Sequence, residues 1–407
     1  MTKAKHSKLR TTVYQLKPAR NTEDAEILQF FSKSEEGTRV YSLFNFDEIC
    51  LYLIPEHGDA ALDLSSTDFE IERLSELAST MATLQSRLIR RRESYLKYPG
   101  FRLISAGSIK SRKTFSRINR VMRRVGAPLD GETLQHPTLL SGWAPKEDAR
   151  PKVSKTGASP RIAIVVHIYY EDIWEEIETI LKQLRYDFQL IVTVPTDKTP
   201  LQERLFTAFP DADIHLIENR GRDVRPFMVL LEQGVLDKFD YVCKIHGKKS
   251  VVNGDATLLG KMWRRRTFFD LLAAPGAFEG AIELFEAKPS IGMIGSRVFR
   301  RPNADHSEEA SWGENRQIVK NLASRMGLTA RKLHLDYFCG TMFWVRTDAL
   351  LPLRNLGLSA EFETETGKVD GTLAHALERA FSLSVRAAGY ELAEVDRLEA
   401  RAPEVSI

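Results

Sequence analysis

The chain has 407 residues, 43% hydrophobic and 28% charged, with a formal net charge of +3. That is long enough for two cores and too weakly charged to mark a nucleic-acid binder by charge alone. The cysteines Cys50, Cys243 and Cys339 lie far apart, in no CxxC or Cys/His spacing, so neither a zinc site nor a disulfide framework is indicated.

The first twenty residues are basic but lack the apolar core of a signal peptide, and no run of about 18 apolar residues follows anywhere. The expectation is a cytoplasmic protein, free or attached to a surface such as the inner face of the cytoplasmic membrane. Val40–Ile54 reads as one or two strands. Thr67 and Glu70 have capping-box spacing, and Leu74, Leu77, Met81, Leu84 and Leu88 then step by three and four. This predicts a helix whose apolar side is either an ordinary buried face or a short a/d seam. From Arg87 to Arg124 the chain is densely basic, with Glu93 the only acid, and Phe115, Ile118, Met122 and Val125 share one face of a second predicted helix. Such a segment suits an anionic membrane surface, a solvated face or nucleic acid. The scarcity of aromatics for base stacking argues against the last. Residues 1–150 are therefore expected to form a smaller, mostly helical region, and the polar, aperiodic stretch 145–160 is the predicted linker.

Beyond it, apolar runs of strand length alternate with helical spacing. Strands are predicted at Ile162–Ile168, Phe188–Val194, Ile214–Ile217 and Tyr241–Ile245, with helices at Asp172–Leu184, from Pro200 to about Phe209, and at Arg225–Leu236. The alternation predicts a parallel α/β sheet with ligands at the carboxyl ends of its strands. Three polar clusters fall there: His167 with Tyr169 and Tyr170; Asn219, Arg220, Gly221, Arg222 and Asp223; and Lys244, His246, Lys248, Lys249 and Ser250. Arginines at a glycine turn before a helix can grip phosphate. Clustered lysines call for an anionic partner such as a diphosphate. Each cluster also has a plain alternative, a solvated basic turn or a helix cap.

Asp336–Arg346 reads as one strand with a bulge at Gly340, its Met342, Phe343 and Trp344 being either core or part of an acceptor side with Arg346. Acids Glu361, Glu363 and Glu365 precede Asp370, read as the start of a helix that carries His375, Glu378 and Arg379.

The runs IAIVVHIYYEDIWEEI, ENRGRDVRPF, DYVCKIHGKKS, WRR, IGMIGS, CGTMFWVRTDAL and ETGKVDGTLAHALER, in this order over about Arg161–Arg379, resemble the rhamnan synthesis protein F family. The resemblance implies a GT-A-like, Rossmann-related domain, expected over 160–398. It also implies transfer of a sugar, to which the family's name gives rhamnose as the candidate, from a nucleotide-diphosphate donor to a lipid-linked glycan of a cell-surface polysaccharide or O-chain. Asp370 is then the first choice as general base and Glu365 the second, with His375 beside them and Glu378 and Arg379 on the acceptor side. Metal-dependent GT-A proteins place Asp-x-Asp after the fourth strand. Here Lys-x-His-Gly-Lys-Lys stands there, so no cofactor is fixed and Mg²⁺ or Mn²⁺ stays open, while Asp211-Ala-Asp213 precedes the third strand as a surface turn. The competing function is a non-catalytic sugar-nucleotide or glycan-binding subunit of the same assembly.

Overall fold

The computed structural model describes residues 12–126 and 159–395, apart from 21–26, 35–36, 45–49, 57–61, 89–93, 99, 197–198, 248, 250, 253–254, 257, 275, 304–305, 329–332 and 366. The chain divides into two compact units, one ending at Gln135 and the other beginning at His136. The predicted linker lies almost wholly outside the described residues.

The first unit is mainly strand, which corrects the expectation of a mostly helical region. Its strands are β1 (Tyr14–Pro18), β2 (Ile27–Ser34), β3 (Gly37–Phe44), β4 (Leu51–Pro55), β5 (Asp63–Ser65), β6 (Phe69–Arg73), β7 (Leu96–Tyr98) and β8 (Phe101–Ser105). They form an antiparallel sheet in the order β6-β1-β4-β8-β7 and a smaller one in the order β3-β2-β5. Their core is aromatic: Phe30 stacks on Tyr41 and Tyr98 on Phe101, with ring centroids 4.8 and 5.1 Å apart. Two helices accompany them, α1 (Glu76–Leu88) and α2 (Ile109–Gly126). The apparent capping box is a strand turn instead. Ser66 Oγ accepts from the Asp68 and Phe69 amides at 3.0 and 2.9 Å and donates to the Gln29 carbonyl, which ties the start of β6 to β2.

In the second unit the strands are β9 (Ile162–His167), β10 (Gln189–Pro195), β11 (Asp213–Ile217), β12 (Tyr241–His246), the hairpin β13 (Val251–Val252) and β14 (Asp255–Ala256), then β15 (Ile291–Ser296), β16 (Arg300–Arg301), β17 (Tyr337–Phe338), β18 (Phe343–Arg346) and β19 (Glu391–Val395). Seven form one mixed sheet in the order β11-β10-β9-β12-β18-β15-β19, in which β18 alone runs antiparallel to its neighbours. The segment expected to be one strand over Asp336–Arg346 is two, β17 and β18. Between them Gly340 and Thr341 both take left-handed φ values, 92° and 53°, which break the extended backbone.

Both faces of the sheet are buried, which is why its central strands are continuously apolar. Along β9, Ala163 and Val165 join one core while Ile162, Ile164 and Val166 join the other. Over the first face lie helices α5 (Val224–Glu232), α9 (Arg316–Arg325) and α11 (Leu373–Ala387), through Phe227, Leu231, Val319, Leu322, Leu377 and Phe381. Over the second lie α3 (Trp174–Gln183), α4 (Thr199–Ala208) and α7 (Ala277–Ala287), through Ile177, Ile180, Leu201, Leu205, Phe278 and Phe285. Each helix repeats its apolar residues at three and four, so one stripe faces the sheet. The remaining helices are α6 (Leu258–Phe268), α8 (Glu308–Trp312) and α10 (Leu351–Arg354).

Candidate functional site at the switch point of the second sheet

From β9 the sheet grows outward in two directions, to β10 on one side and to β12 on the other. The connections therefore diverge here and open a crevice at the carboxyl ends of these two strands, where doubly wound sheets bind ligands. His167 ends β9 and His246 ends β12, side by side in register.

At the bottom of the crevice is a compact polar cluster from three separate segments. Lys244, 1% exposed, projects from β12 and donates to Asp223 Oδ2 at 2.7 Å, to the Thr341 carbonyl at 2.9 Å and to Thr341 Oγ1 at 3.2 Å. Thr341 Oγ1 also donates to Asp223 Oδ2. His246 Nε2 lies 3.7 Å from the same carboxylate oxygen and 2.8 Å from the Gly340 carbonyl. Burial pushes the Asp223 carboxyl up, but His246, Lys244 and the hydrogen bonds from Lys244 and Thr341 outweigh it and hold Asp223 far below the ordinary carboxylate range. Burial pushes Lys244 the other way, downward, against the pull of Asp223. We assign the pair its charged form, because Asp223 supplies a full counter-charge at hydrogen-bond distance. His167 is lowered to about 4, mainly by burial, and its Nδ1 meets Thr193 Oγ1 at 2.9 Å.

Among the described residues, the two non-glycine positions with left-handed backbone are Arg222, at 55°, and Thr341, at 53°. Both bracket Asp223, one as its chain neighbour and one as its hydrogen-bond donor. Such conformations cost of order 1–3 kcal/mol each and gather where a site is held in a fixed shape. Thr341 was not singled out from the sequence. The polar Thr between Gly340 and the apolar Met342 was the signal available for it.

The Asn219–Asp223 turn does sit beside this cluster, but its arginines are committed within the chain. Arg220 donates to the Phe362 carbonyl, Arg222 to the Lys368 carbonyl at 2.5 Å, and Arg225 to the Ser359 carbonyl at 2.9 Å. Glu365 accepts from the Arg222 amide at 3.2 Å. The segment 359–368 is thereby strapped across the turn, and a cleft between them is lined by Gly221, Arg222, Glu363, Glu365, Lys368 and Thr372. Asn219 is exposed on this rim. Lys249 pairs with Asp172 at 2.8 Å and lies 5.3 Å over the Tyr170 ring; Tyr170 in turn abuts Tyr169 edge-on at 4.9 Å. Lys248 and Ser250 lie outside the described residues. The isolated cationic cluster expected from the sequence is thus corrected: Lys244 and Lys249 each have a carboxylate partner of their own.

Helix α11 begins at Leu373, three residues after Asp370, and Glu363 accepts from the Leu373 amide at 3.1 Å. Asp370 instead accepts from the Glu314 amide at 3.0 Å and from Asn315 Nδ2 at 2.6 Å. Burial would raise it, but these bonds and one from Gly371 leave it lowered. His375 Nδ1 faces Thr372 Oγ1 at 2.7 Å, whereas its buried Nε2 has no hydrogen-bond partner. Burial and then Arg222 lower its pKa. Glu378 accepts from the Gly340 amide and lies 3.5 Å from Arg379, which donates to the Ser311 and His375 carbonyls at 2.9 and 2.6 Å. So Asp223, Lys244, His246, Glu365, His375 and Glu378 are brought to one end of the sheet.

Trp344 and Arg346 are not. Trp344 is fully buried and donates to the Leu271 carbonyl at 3.0 Å. Arg346 pairs with Tyr241 at the start of β12, the opposite end of that strand, and donates to the Ile291 carbonyl at 2.7 Å. The antiparallel direction of β18 carries them away from the crevice. Asp213 opens β11, likewise at the far end, 3.1 Å from His215. Among the described residues no group of three or more His, Cys, Asp or Glu could hold a metal ion.

A mixed α/β unit with a polar crevice at its switch point is the class of protein this geometry defines. Residues 143–390 match the model of the rhamnan synthesis protein F family, and the chain belongs to that family. Two curated relatives, each named uncharacterized protein WxcX, from Xanthomonas campestris pv. campestris strains B100 and ATCC 33913, are 29% identical over 249 residues. The match covers 61% of this chain and 34% of each relative, so the chain spans about a third of their length. A crystal structure of 4-diphosphocytidyl-2C-methyl-D-erythritol synthase aligns over 61% of this chain and 95% of its own, at 12% identity and a TM-score of 0.30, a likeness too slight to carry an argument. The family is named for the synthesis of rhamnan, a polysaccharide.

Proposed function

We propose that the second unit is a GT-A-like glycosyltransferase. It moves a sugar, rhamnose first among the candidates, from a nucleotide-diphosphate donor to a lipid-linked acceptor of a growing cell-surface polysaccharide or lipopolysaccharide O-chain. The observation that carries this reading is the rigid Asp223–Lys244–Thr341–His246 cluster at the switch-point crevice, bracketed by the two left-handed residues Arg222 and Thr341.

In this reading the donor diphosphate meets the start of α5 and the Arg222 side chain, with Lys249 on the other wall. To reach it, the guanidinium groups of Arg220 and Arg222 exchange the carbonyls of Phe362 and Lys368 for phosphate oxygens. Tyr169, 40% exposed and buttressed by Tyr170, offers ring surface to the base or sugar. The acceptor hydroxyl oxygen forms a bond to the anomeric carbon as the bond to the diphosphate breaks, and the diphosphate leaves with that electron pair. A base takes the hydroxyl proton. His375 suits this role better than Asp370: its Nε2 has no partner and its lowered pKa keeps it neutral at pH 7, whereas three donors already hold the Asp370 carboxylate. Glu365 is the second candidate.

A panel of nucleotide-diphosphate sugars in a thermal-shift assay tests the donor site. The true donor at 100 times its Kd adds roughly 2.7 kcal/mol of stability. Turnover should then require acceptor and fall by about 10²–10⁴ in His375→Gln. Stabilisation without turnover under any acceptor would favour a non-catalytic sugar-nucleotide-binding subunit. No stabilisation by any member of the panel would reject the donor site.

A further inference from the structure

The stretch between Phe362 and Asp370 is fixed at both ends. Phe362 is 1% exposed and belongs to a core of the second unit. Glu363 accepts from the Leu373 amide with both carboxylate oxygens, and Asp370 is held by the Glu314 amide and Asn315. Between these anchors Thr364, Glu365, Lys368 and Val369 are all exposed, Val369 by 89%. A segment with so little buried apolar surface belongs to the least stable part of a fold. Gly367 has a left-handed φ of 71°, and a Cβ there would meet nothing within 4 Å, so backbone freedom and not packing makes the turn.

Among the described residues, the hydrogen bonds that hold 364–369 down are both made by Arg222. Its amide donates to Glu365 Oε1 and its guanidinium to the Lys368 carbonyl. A carboxylate on a backbone amide just ahead of a helix is an anion at a helix beginning. That is the place the donor diphosphate takes in the reading above. Glu365 and a diphosphate carry like charge and call on the same donors, so they exclude each other.

We propose, resting on that donor reading, that 364–369 is a gate over the cleft, latched by Arg222 and opened by the donor's diphosphate, which displaces the Glu365 carboxylate. Glu365 is then an internal competitor for the anion position. Molecules with the latch closed do not bind donor, so the apparent affinity falls by the fraction that is open. The coupling is reciprocal: a bound diphosphate loosens the gate by the same factor by which the gate weakens the diphosphate. Removing the Glu365 charge should therefore tighten donor binding, the opposite of what the loss of a contact to the donor would do.

The test is titration of the full chain with inorganic pyrophosphate and with uridine diphosphate, together with trypsin cleavage after Lys368 followed by mass spectrometry. Glu365→Gln keeps the shape of the side chain and removes its charge. It should bind both ligands about three- to tenfold more tightly than the wild type. Glu361→Gln is the control, because Glu361 lies on the same segment but pairs with Arg325 at 3.1 Å, away from the latch. It removes an equal charge and should leave affinity within about twofold of the wild type. Saturating pyrophosphate should speed cleavage after Lys368 in the wild type at least about threefold, and Glu365→Gln should be cleaved faster even without ligand. Unchanged or weaker binding by Glu365→Gln, an equal gain in Glu361→Gln, or cleavage that pyrophosphate slows overturns the gate and leaves the donor site standing. No binding of either ligand by the wild type and Glu365→Gln alike overturns the donor reading and the gate together.

Discussion

Asp223 is the residue on which the ionisation of the crevice turns. Its carboxylate is the counter-charge of a lysine that is 1% exposed, and it accepts from both Lys244 and Thr341. Removing one partner of such a pair leaves the other charge buried and uncompensated. Asp223→Asn should therefore lose about 3–5 kcal/mol of stability at pH 7, read from denaturant midpoints, and Asp223→Asn/Lys244→Met should recover part of the loss. The pH dependence has a definite sign. Asp223 is lowered in the folded state, so its contribution is complete above its unfolded pKa, about 4, and fades as pH falls through the lower folded value. The gap between wild type and Asp223→Asn should thus be constant from neutral pH to about 5 and narrow below 4. A single variant as stable as the wild type at pH 7 would remove Asp223 from the centre of the cluster. Its position after a strand and before a helix was legible in the sequence. Its partner Thr341 was not, because 118 residues separate the two and only the folded turn at Gly340 joins them.

At the scale of elements, the turn at Gly221 and the strap at 359–368 form one device. Gly221 has φ of 67°, and a Cβ there would lie 2.3 Å from the Phe362 ring. Gly221→Ala should cost more than the roughly 1 kcal/mol of an ordinary glycine replacement, because it adds a clash to an unfavourable φ. It should also weaken nucleotide-sugar binding if the turn holds the donor. A variant of wild-type midpoint and affinity would separate the strap from the site. The same scale shows why reading succeeded in one unit and failed in the other. Strands such as Ile162–His167 are buried on both faces and stand out as continuous apolar runs. Strands of the first unit such as β1 alternate buried and less buried residues and offer no continuous apolar run, and Ser66-Thr-Asp has the letters of a helix start although the Ser66 hydroxyl closes a turn between strands. The leucine spacing of α1 predicts a helix with a buried face or a short seam; the helix is present over Glu76–Leu88, but Leu77, Met81 and Leu84 are exposed, because spacing says nothing about which side faces the sheet.

At the scale of the whole molecule, the second unit holds everything the proposed transfer uses. Its central sheet lies between two separate cores, one containing Phe227, Leu231, Leu377 and Phe381 and the other Ile177, Leu201, Phe278 and Trp344. Edge strand β19 is paired in parallel with β15 along its length, so the last described strand completes the sheet and does not decorate it. The first unit has its own aromatic core around Phe30, Tyr41, Tyr98 and Phe101. A domain with its own core can fold alone. A fragment of residues 159–395 should therefore unfold in one cooperative transition, and ending it at 388 should abolish that by stripping β19 from the buried β15. Trp344→Ala in this fragment should lose about 3–5 kcal/mol, the usual cost of emptying so large a buried volume. If the crevice is the donor site, the fragment should also keep the full stabilisation by nucleotide-diphosphate sugar expected of the whole chain. A fragment that folds but no longer responds to any nucleotide sugar would mean that the first unit completes the donor site, and one that never folds would mean that the two units share a single folding event.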